Sequence, residues 1–187
     1  MAFADQTCYP SQLLAHAGSG IPDFYAMAGR SLCWVDPQSN SGYIVPSLML
    51  IAAGLDPGEN AFFSFGHDAV VDNIYQQHCE AGAAFLDARD LLADQYPDVF
   101  DVVLQIGISA QIPNTGFVAA GSFDTGQLDG IKNALLAIAG TPEGAAWLNI
   151  LFSADLRPID HTAYQGMEAL LEDASLTPEQ AWGRFFP

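Results

Sequence analysis

From Gln12 to Ile106 the chain alternates short apolar runs with segments of helical texture. No other feature restricts its fold as strongly. Gln12–Ala15, Ser31–Val35, Ala61–Phe65, Ala83–Leu86 and Val102–Ile106 read as strands. Pro22–Gly29, Gly42–Gly54, His67–Cys79 and about Asp87–Gln95 read as the helices between them. Short apolar strands separated by helices predict a parallel or mixed α/β sheet covered on both faces. After Pro113 the texture changes. Phe117–Ala120 reads as one last strand, and the rest is helical. Thr141-Pro142-Glu143 and Thr177-Pro178-Glu179 each offer an N-cap hydroxyl, proline at N1 and an early acid, and Asp160-His161-Thr162 offers a further helix start.

Half of the 187 residues are hydrophobic, which excludes intrinsic disorder and allows a sizeable core. Only 5 residues are Lys or Arg against 22 Asp or Glu, giving a formal net charge of -17. A nucleic-acid face needs clustered cations, so that class is excluded, and an anionic membrane surface is disfavoured for the same reason. The longest apolar stretch, Ile44 to Leu55, contains Pro46 and Ser47 and is too short to span a bilayer. The N-terminus Met1-Ala2-Phe3-Ala4-Asp5 has neither the basic nor the apolar region of a signal peptide. Cys8, Cys33 and Cys79 are sparse and odd in number, without a C-x-x-C. They read as small buried hydrophobes rather than a disulfide framework.

Three strand-to-helix turns hold the chemistry. In an open α/β sheet, ligands bind at the carboxyl ends of strands. The first turn is Asp36-Pro37-Gln38-Ser39-Asn40-Ser41-Gly42-Tyr43. Its hydroxyls and the free N–H groups of a helix start make an anion site without a cation, and Gly42 lets the backbone come close to a ligand. An N-cap followed by a turn is the alternative. The second is Phe65-Gly66-His67-Asp68, where Gly66 permits a tight turn and His67 offers a ring N–H from the first helical turn, unless it is a solvated cap. The third is Leu86-Asp87-Ala88-Arg89. A carboxylate beside two anion-binding turns is useful only if the ligand carries a proton or an amine, because a carboxylate only accepts. Asp87 would then exclude sulfate. Its alternative is an N-cap on the following helix.

Other chemistry is weakly represented. His16, His78 and His161 lack metal-ligand spacing, so no metal or cofactor is expected. No G-x-S-x-G, P-loop or G-x-G-x-x-G occurs. A nucleophile at Cys8 or Cys33 would need a positioned base.

Tyr9-Pro10-Ser11, Gly18-Ser19-Gly20-Ile21, Gly29-Arg30 and Cys33-Trp34-Val35-Asp36-Pro37, in this order, resemble one family. It is that of the substrate-binding proteins of phosphate, phosphite and phosphonate ABC transporters. Ser39-Asn40-Ser41-Gly42-Tyr43-Ile44-Val45-Pro46 is similar to the family's hydroxyl-rich turn, with Asn40 where threonine is common. Gly66-His67-Asp68-Ala69 resembles its G-H-D helix start. Ala81–Arg89 resembles its stretch ending in D-A-R, with Leu86 where an acid is common. Ile112-Pro113-Asn114 and Thr141-Pro142-Glu143-Gly144 continue the match, which runs from about Tyr9 to Glu172.

The resemblance implies a type II periplasmic-binding-protein-like α/β fold, with one complete lobe plus a partial second lobe. Residues 1–16 would be a crossover strand from partial lobe one, 17–112 lobe two with the oxyanion-binding turns, and 113–187 the returning strand and helical tail of lobe one. Family members have a longer N-terminal part with a signal sequence, so the chain is expected to lack it. The implied function is non-enzymatic capture of a small phosphorus oxyanion outside the cytoplasm by domain closure, for an ABC permease and ATPase. Ser39, Asn40, Ser41, Gly42, Tyr43, His67 and Asp87 are the expected ligand-binding residues. A cysteine-dependent enzyme on the same fold and a non-transport sensor or fragment are the alternatives.

Overall fold

The computed structural model describes residues 8–58, 60–114, 116–152, 156 and 158–186. The segment 1–7, on which the signal-peptide reading fell, lies outside the described residues. Five strands form one sheet: β1 (Cys8–His16), β2 (Leu32–Trp34), β3 (Ala61–Phe63), β4 (Ala81–Phe85) and β5 (Val103–Pro113). Their order is β3-β2-β4-β1-β5. β2 is parallel to both β3 and β4, and β1 is antiparallel to β4 with Ser11 opposite Phe85 and Gln12 opposite Ala84. The mixed α/β sheet expected from the alternation is therefore present.

Helix α1 (Val45–Ala52) joins β2 to β3, and α2 (His67–Tyr75) joins β3 to β4. The first crossover moves from β2 out to β3, and the second returns in the opposite direction past β2 to β4. Right-handed crossovers then put α1 and α2 on opposite faces of the sheet. The two cores record this. Val70, Val71 and Ile74 of α2 pack with Leu14, Cys33, Val35 and Ala84. Leu50 of α1 packs with Leu13, Ala15, Leu32, Trp34, Ala81 and Ala83. Neighbouring residues of β1 and β2 thus go to opposite cores, as strand alternation requires. The strand order reverses between β2 and β4, the position at whose carboxyl ends open α/β sheets bind ligands.

The chain divides into two compact units. One comprises residues 10–112 and 164–187, and holds the sheet. Helix α3 (Val99–Val102) leads into β5. In this unit α6 (Gln165–Asp173) and α7 (Pro178–Phe185) also pack: Leu170, Leu171, Ala181 and Phe185 cover Ile44 and Leu48. Thr177 caps α7 through a reciprocal bond pair with Gln180. The other unit, residues 1–9 and 113–163, contains α4 (Thr125–Ala139) and α5 (Pro142–Phe152). Asp124 caps α4, and the Thr141 hydroxyl accepts from the Gly144 N–H at 3.0 Å to cap α5. The sequence boundaries kept 113–187 together, whereas here residues 164–187 group with the unit that holds the sheet and cover α1.

Several expectations need correction. Phe117–Ala120 forms no strand. Pro22–Gly29 holds only a 3-10 turn, Phe24–Met27. Helix α2 stops at Tyr75, because Gln77 takes a left-handed conformation at φ 60°. That turn carries Cys79 back to the sheet. Cys33 and Cys79 are joined by a disulfide and only Cys8 is free, so the reading of three unlinked cysteines is overturned. Forty-six residues separate the pair, and parallel β2–β4 pairing closes the gap by placing Ala81 beside Leu32.

Candidate anion-binding site

The carboxyl ends of β2, β3 and β4 deliver the three turns singled out in the sequence. After β2, Ser39 starts a π-turn over Asn40–Ile44 that feeds directly into α1. The Ser39 carbonyl accepts from both Tyr43 and Ile44 at 3.0 Å, and its hydroxyl accepts from the Gly42 N–H at 3.0 Å. That bond uses an oxygen lone pair and leaves the Ser39 O–H proton free to donate. The N–H groups of Asn40 and Ser41 open the turn, where no helical carbonyl precedes them. Ser41 is buried, and its side chain makes no hydrogen bond among the described residues, while the Asn40 side chain is exposed.

His67 is the first residue of α2, whose N-terminus has no side-chain cap. The Phe85 N–H donates to His67 Nδ1 at 3.2 Å. A nitrogen that accepts carries no proton, so the neutral ring holds its proton on Nε2. The imidazole also packs on the Phe85 ring, with centroids 4.6 Å apart. Burial lowers the His67 pKa below its ordinary value, against the upward pull of Asp36 and Asp68. The result is a neutral imidazole with one directed N–H donor.

Asp87 follows β4 and takes the left-handed conformation at φ 66°. Its side chain makes no capping bond to the 3-10 turn Ala88–Leu92, which removes the N-cap alternative. The expected helix from Asp87 to Gln95 is this 3-10 turn. An aspartate tolerates the left-handed region better than most residues, and such strain concentrates at functional sites.

Two further sequence candidates stand differently. A Cβ on Gly42 would lie 2.2 Å from Val35 Cγ2 and 2.8 Å from Ser39 Oγ. The close approach that requires glycine is thus to Val35 of the core rather than to a ligand. Tyr43 packs its ring against Trp34, Phe63 and Phe185, at 5.9, 5.0 and 5.6 Å between centroids. Burial is the leading cause that raises its pKa. The ring belongs to the core. Ser39, Asn40, Ser41, His67 and Asp87 remain at the carboxyl ends of the strands.

Two of the five basic residues are engaged elsewhere. Arg30 pairs with Glu80 at 2.9 Å. Arg89 donates to the Val103 carbonyl at 3.1 Å and lies over the Phe100 ring. The described residues also contain no cluster of His, Cys, Asp and Glu fit for a metal ion. No helix among them is long and apolar enough to cross a membrane. Sequence reasoning missed Ser11 and Gln12 of β1, both fully buried, which bond to the first turn and to the end of β4 before the third. Two adjacent polar residues inside a strand were the available signal.

Comparison with known proteins gives a consistent set of relatives. The model of a family described as the periplasmic substrate-binding protein of phosphonate ABC transporters matches residues 2–164. The phosphate-import protein PhnD of Mycolicibacterium smegmatis is 34% identical over 90 residues, covering 41% of this chain and 27% of that protein. Among solved structures, XAC2383 from Xanthomonas citri, bound to chloride ion, superposes with a TM-score of 0.68 at 18% identity over 90% of this chain and 66% of that one. PhnD1 from Prochlorococcus marinus, in complex with methylphosphonate, gives 0.61 at 17% identity over 91% and 68%. The chain spans 27% of the first and 66% of the second of these relatives.

Proposed function

The chain belongs to the family of periplasmic substrate-binding proteins of phosphonate ABC transporters, and we propose that it captures a small phosphorus oxyanion at the carboxyl ends of β2 and β4 for an importer's permease and ATPase. Its fold is the α/β fold of the periplasmic binding proteins, of which it spans a part. One observation carries the proposal. Neutral donors stand at the strand ends of a chain with a formal charge of -17. Hydroxyls, backbone N–H groups and one neutral imidazole replace the anion's water shell without a counter-charge.

In this proposal Ser39, Asn40, Ser41 and His67 Nε2–H donate to the anion's oxygens. Asp87 accepts from the ligand's own O–H or N–H. Hydrogen phosphate, the phosphite monoanion and aminophosphonates carry such a donor, and sulfate at neutral pH does not. Gly42 and Tyr43 take no direct part: one lets the turn seat on Val35, and the other anchors α1 to the core. A periplasmic location accords with the Cys33–Cys79 disulfide, since such bonds persist in oxidising compartments. The same disulfide leaves Cys33 without a thiolate, which disfavours the enzyme alternative at that residue.

The test is titration calorimetry of Ser41→Ala and His67→Ala against the wild type with phosphate, phosphite, methylphosphonate and 2-aminoethylphosphonate. Each lost hydrogen bond to a charged ligand is worth about 1.5–3 kcal/mol. At least one ligand should therefore bind more than tenfold more weakly to each variant. Affinities within twofold of wild type for both would overturn the site.

A further inference from the structure

We propose that Ser11 and Gln12 of β1 are the positioning residues of this site, Ser11 aiming the Ser39 and His67 donors and Gln12 aiming Asp87. The proposal rests on the functional reading above. It concerns residues that lie in none of the three turns. Both are 0% exposed, and successive residues of a strand face opposite ways, so each serves a different side of the sheet.

The Ser11 hydroxyl donates to the Ser41 carbonyl at 2.6 Å, with a longer approach of 3.3 Å to the Ala84 carbonyl. Each carbonyl shares a peptide group with an N–H that supports a donor. The peptide of Ser41 carries the Gly42 N–H, which donates to Ser39 Oγ. The peptide of Ala84 carries the Phe85 N–H, which donates to His67 Nδ1. A hydrogen bond to a carbonyl polarises the N–H at the other end of the same peptide. One buried hydroxyl thus lies behind both the Ser39 O–H and the His67 Nε2–H. Ser11 is itself fixed, because its N–H donates to Ser109 Oγ at 2.8 Å.

Gln12 secures the next peptide. Its Nε2 donates to the Phe85 carbonyl at 3.0 Å, and the N–H of that peptide, on Leu86, donates to the Pro10 carbonyl at 3.3 Å. Held at both ends, the peptide fixes the direction in which the chain leaves β4 for Asp87. Gln12 Oε1 is buried and has no partner among the described residues. A side chain kept only for packing would not retain an unsatisfied buried acceptor, which is costly.

The experiment uses the full chain with Ser11→Ala, Ser11→Thr and Gln12→Met. Amide exchange and the imidazole 15N shifts of His67 are read without ligand, and phosphite and sulfate affinities by calorimetry. Ser11→Ala should speed exchange at Gly42 and Phe85, shift the His67 Nδ1 signal and weaken phosphite roughly tenfold. Ser11→Thr, which keeps the hydroxyl, should restore all three. Gln12→Met should speed exchange at Leu86 and lower the phosphite-over-sulfate ratio while leaving the His67 signal in place. Exchange that rises evenly over the sheet, or an unmoved His67 signal in Ser11→Ala, would overturn the proposal. If Ser11→Ala does not fold, a Ser11→Thr protein that exchanges like wild type supports it, and one that loses protection at Gly42 and Phe85 overturns it. If the wild type binds none of phosphite, phosphate, methylphosphonate and 2-aminoethylphosphonate, the functional reading fails, while the exchange pattern and the His67 shift still decide the positioning claim.

Discussion

Replacing Gly42 with alanine tests how the first turn is seated. The added Cβ would lie 2.2 Å from Val35 Cγ2, 2.4 Å from Val35 Cβ and 2.8 Å from Ser39 Oγ. Carbon atoms in contact prefer about 3.5–4.0 Å, so the turn must retreat by more than about 1 Å. Val35 cannot yield, because it is 4% exposed and packed among Leu14, Cys33 and Val70. The retreat would break the bond from the Val35 N–H to the Gly42 carbonyl at 3.1 Å and the bond from the Gly42 N–H to Ser39 Oγ at 3.0 Å. Overpacking costs roughly 1–3 kcal/mol and each buried bond about 1, so the loss should be about 3–5 kcal/mol. Gly183 in α7 is the control, since nothing lies within 4 Å of a Cβ built there. Alanine at that helical position should stabilise by about 0.5–1 kcal/mol. Urea unfolding of both variants with a common m-value measures the two changes. A Gly42→Ala protein within about 0.5 kcal/mol of wild type, judged against the normal scatter of surface changes, would refute the seating on Val35.

Removing the disulfide with Cys33→Ala and Cys79→Ala together should cost about 4 kcal/mol by the loop-entropy relation for a separation of 46 residues; urea unfolding with and without reductant checks it, and wild-type stability indifferent to reduction would count against it. The His67 pKa is lower in the folded protein than near 6.5 in the unfolded chain, so the unfolded state binds more protons in between. Stability should therefore be full above about pH 7.5 and fall as the pH drops through about 6.5, and His67→Gln should flatten that part of the profile; an unchanged slope would contradict the burial of a neutral ring. Asp87→Asn should weaken the preferred phosphorus ligand and raise the relative affinity for sulfate, because an amide both donates and accepts. An unchanged ratio of the two affinities would remove Asp87 from the site.

Much of the sheet is legible because its strands are short apolar runs, and the three turns follow from the strand ends. What the sequence hides depends on distance or on conformation. Cys33 and Cys79 meet only through the β2–β4 pairing, which nothing local to either residue announces. Asp87 looks like an N-cap in sequence, yet its φ of 66° leaves the side chain without a capping bond. Tyr43 reads as part of a hydroxyl-rich turn, but the aromatic pocket of Trp34, Phe63 and Phe185 is assembled from three distant segments. Gly42 was legible as a close approach, though its neighbour is Val35. Ser11 bonds across 30 and 73 residues, so its role appears only once β1 lies beside β4. Phe117–Ala120 has strand-like residues and no strand.

The most direct measurement is calorimetric titration of the wild-type chain with phosphite, phosphate, methylphosphonate, 2-aminoethylphosphonate and sulfate at constant pH and ionic strength. Neutral donors with one accepting carboxylate predict saturable one-to-one binding of at least one phosphorus oxyanion, and sulfate at least tenfold weaker, the equivalent of about 1.4 kcal/mol. Equal binding of sulfate, or no binding of any of the five, would contradict the assignment of the β2 and β4 carboxyl ends as a phosphorus-oxyanion site.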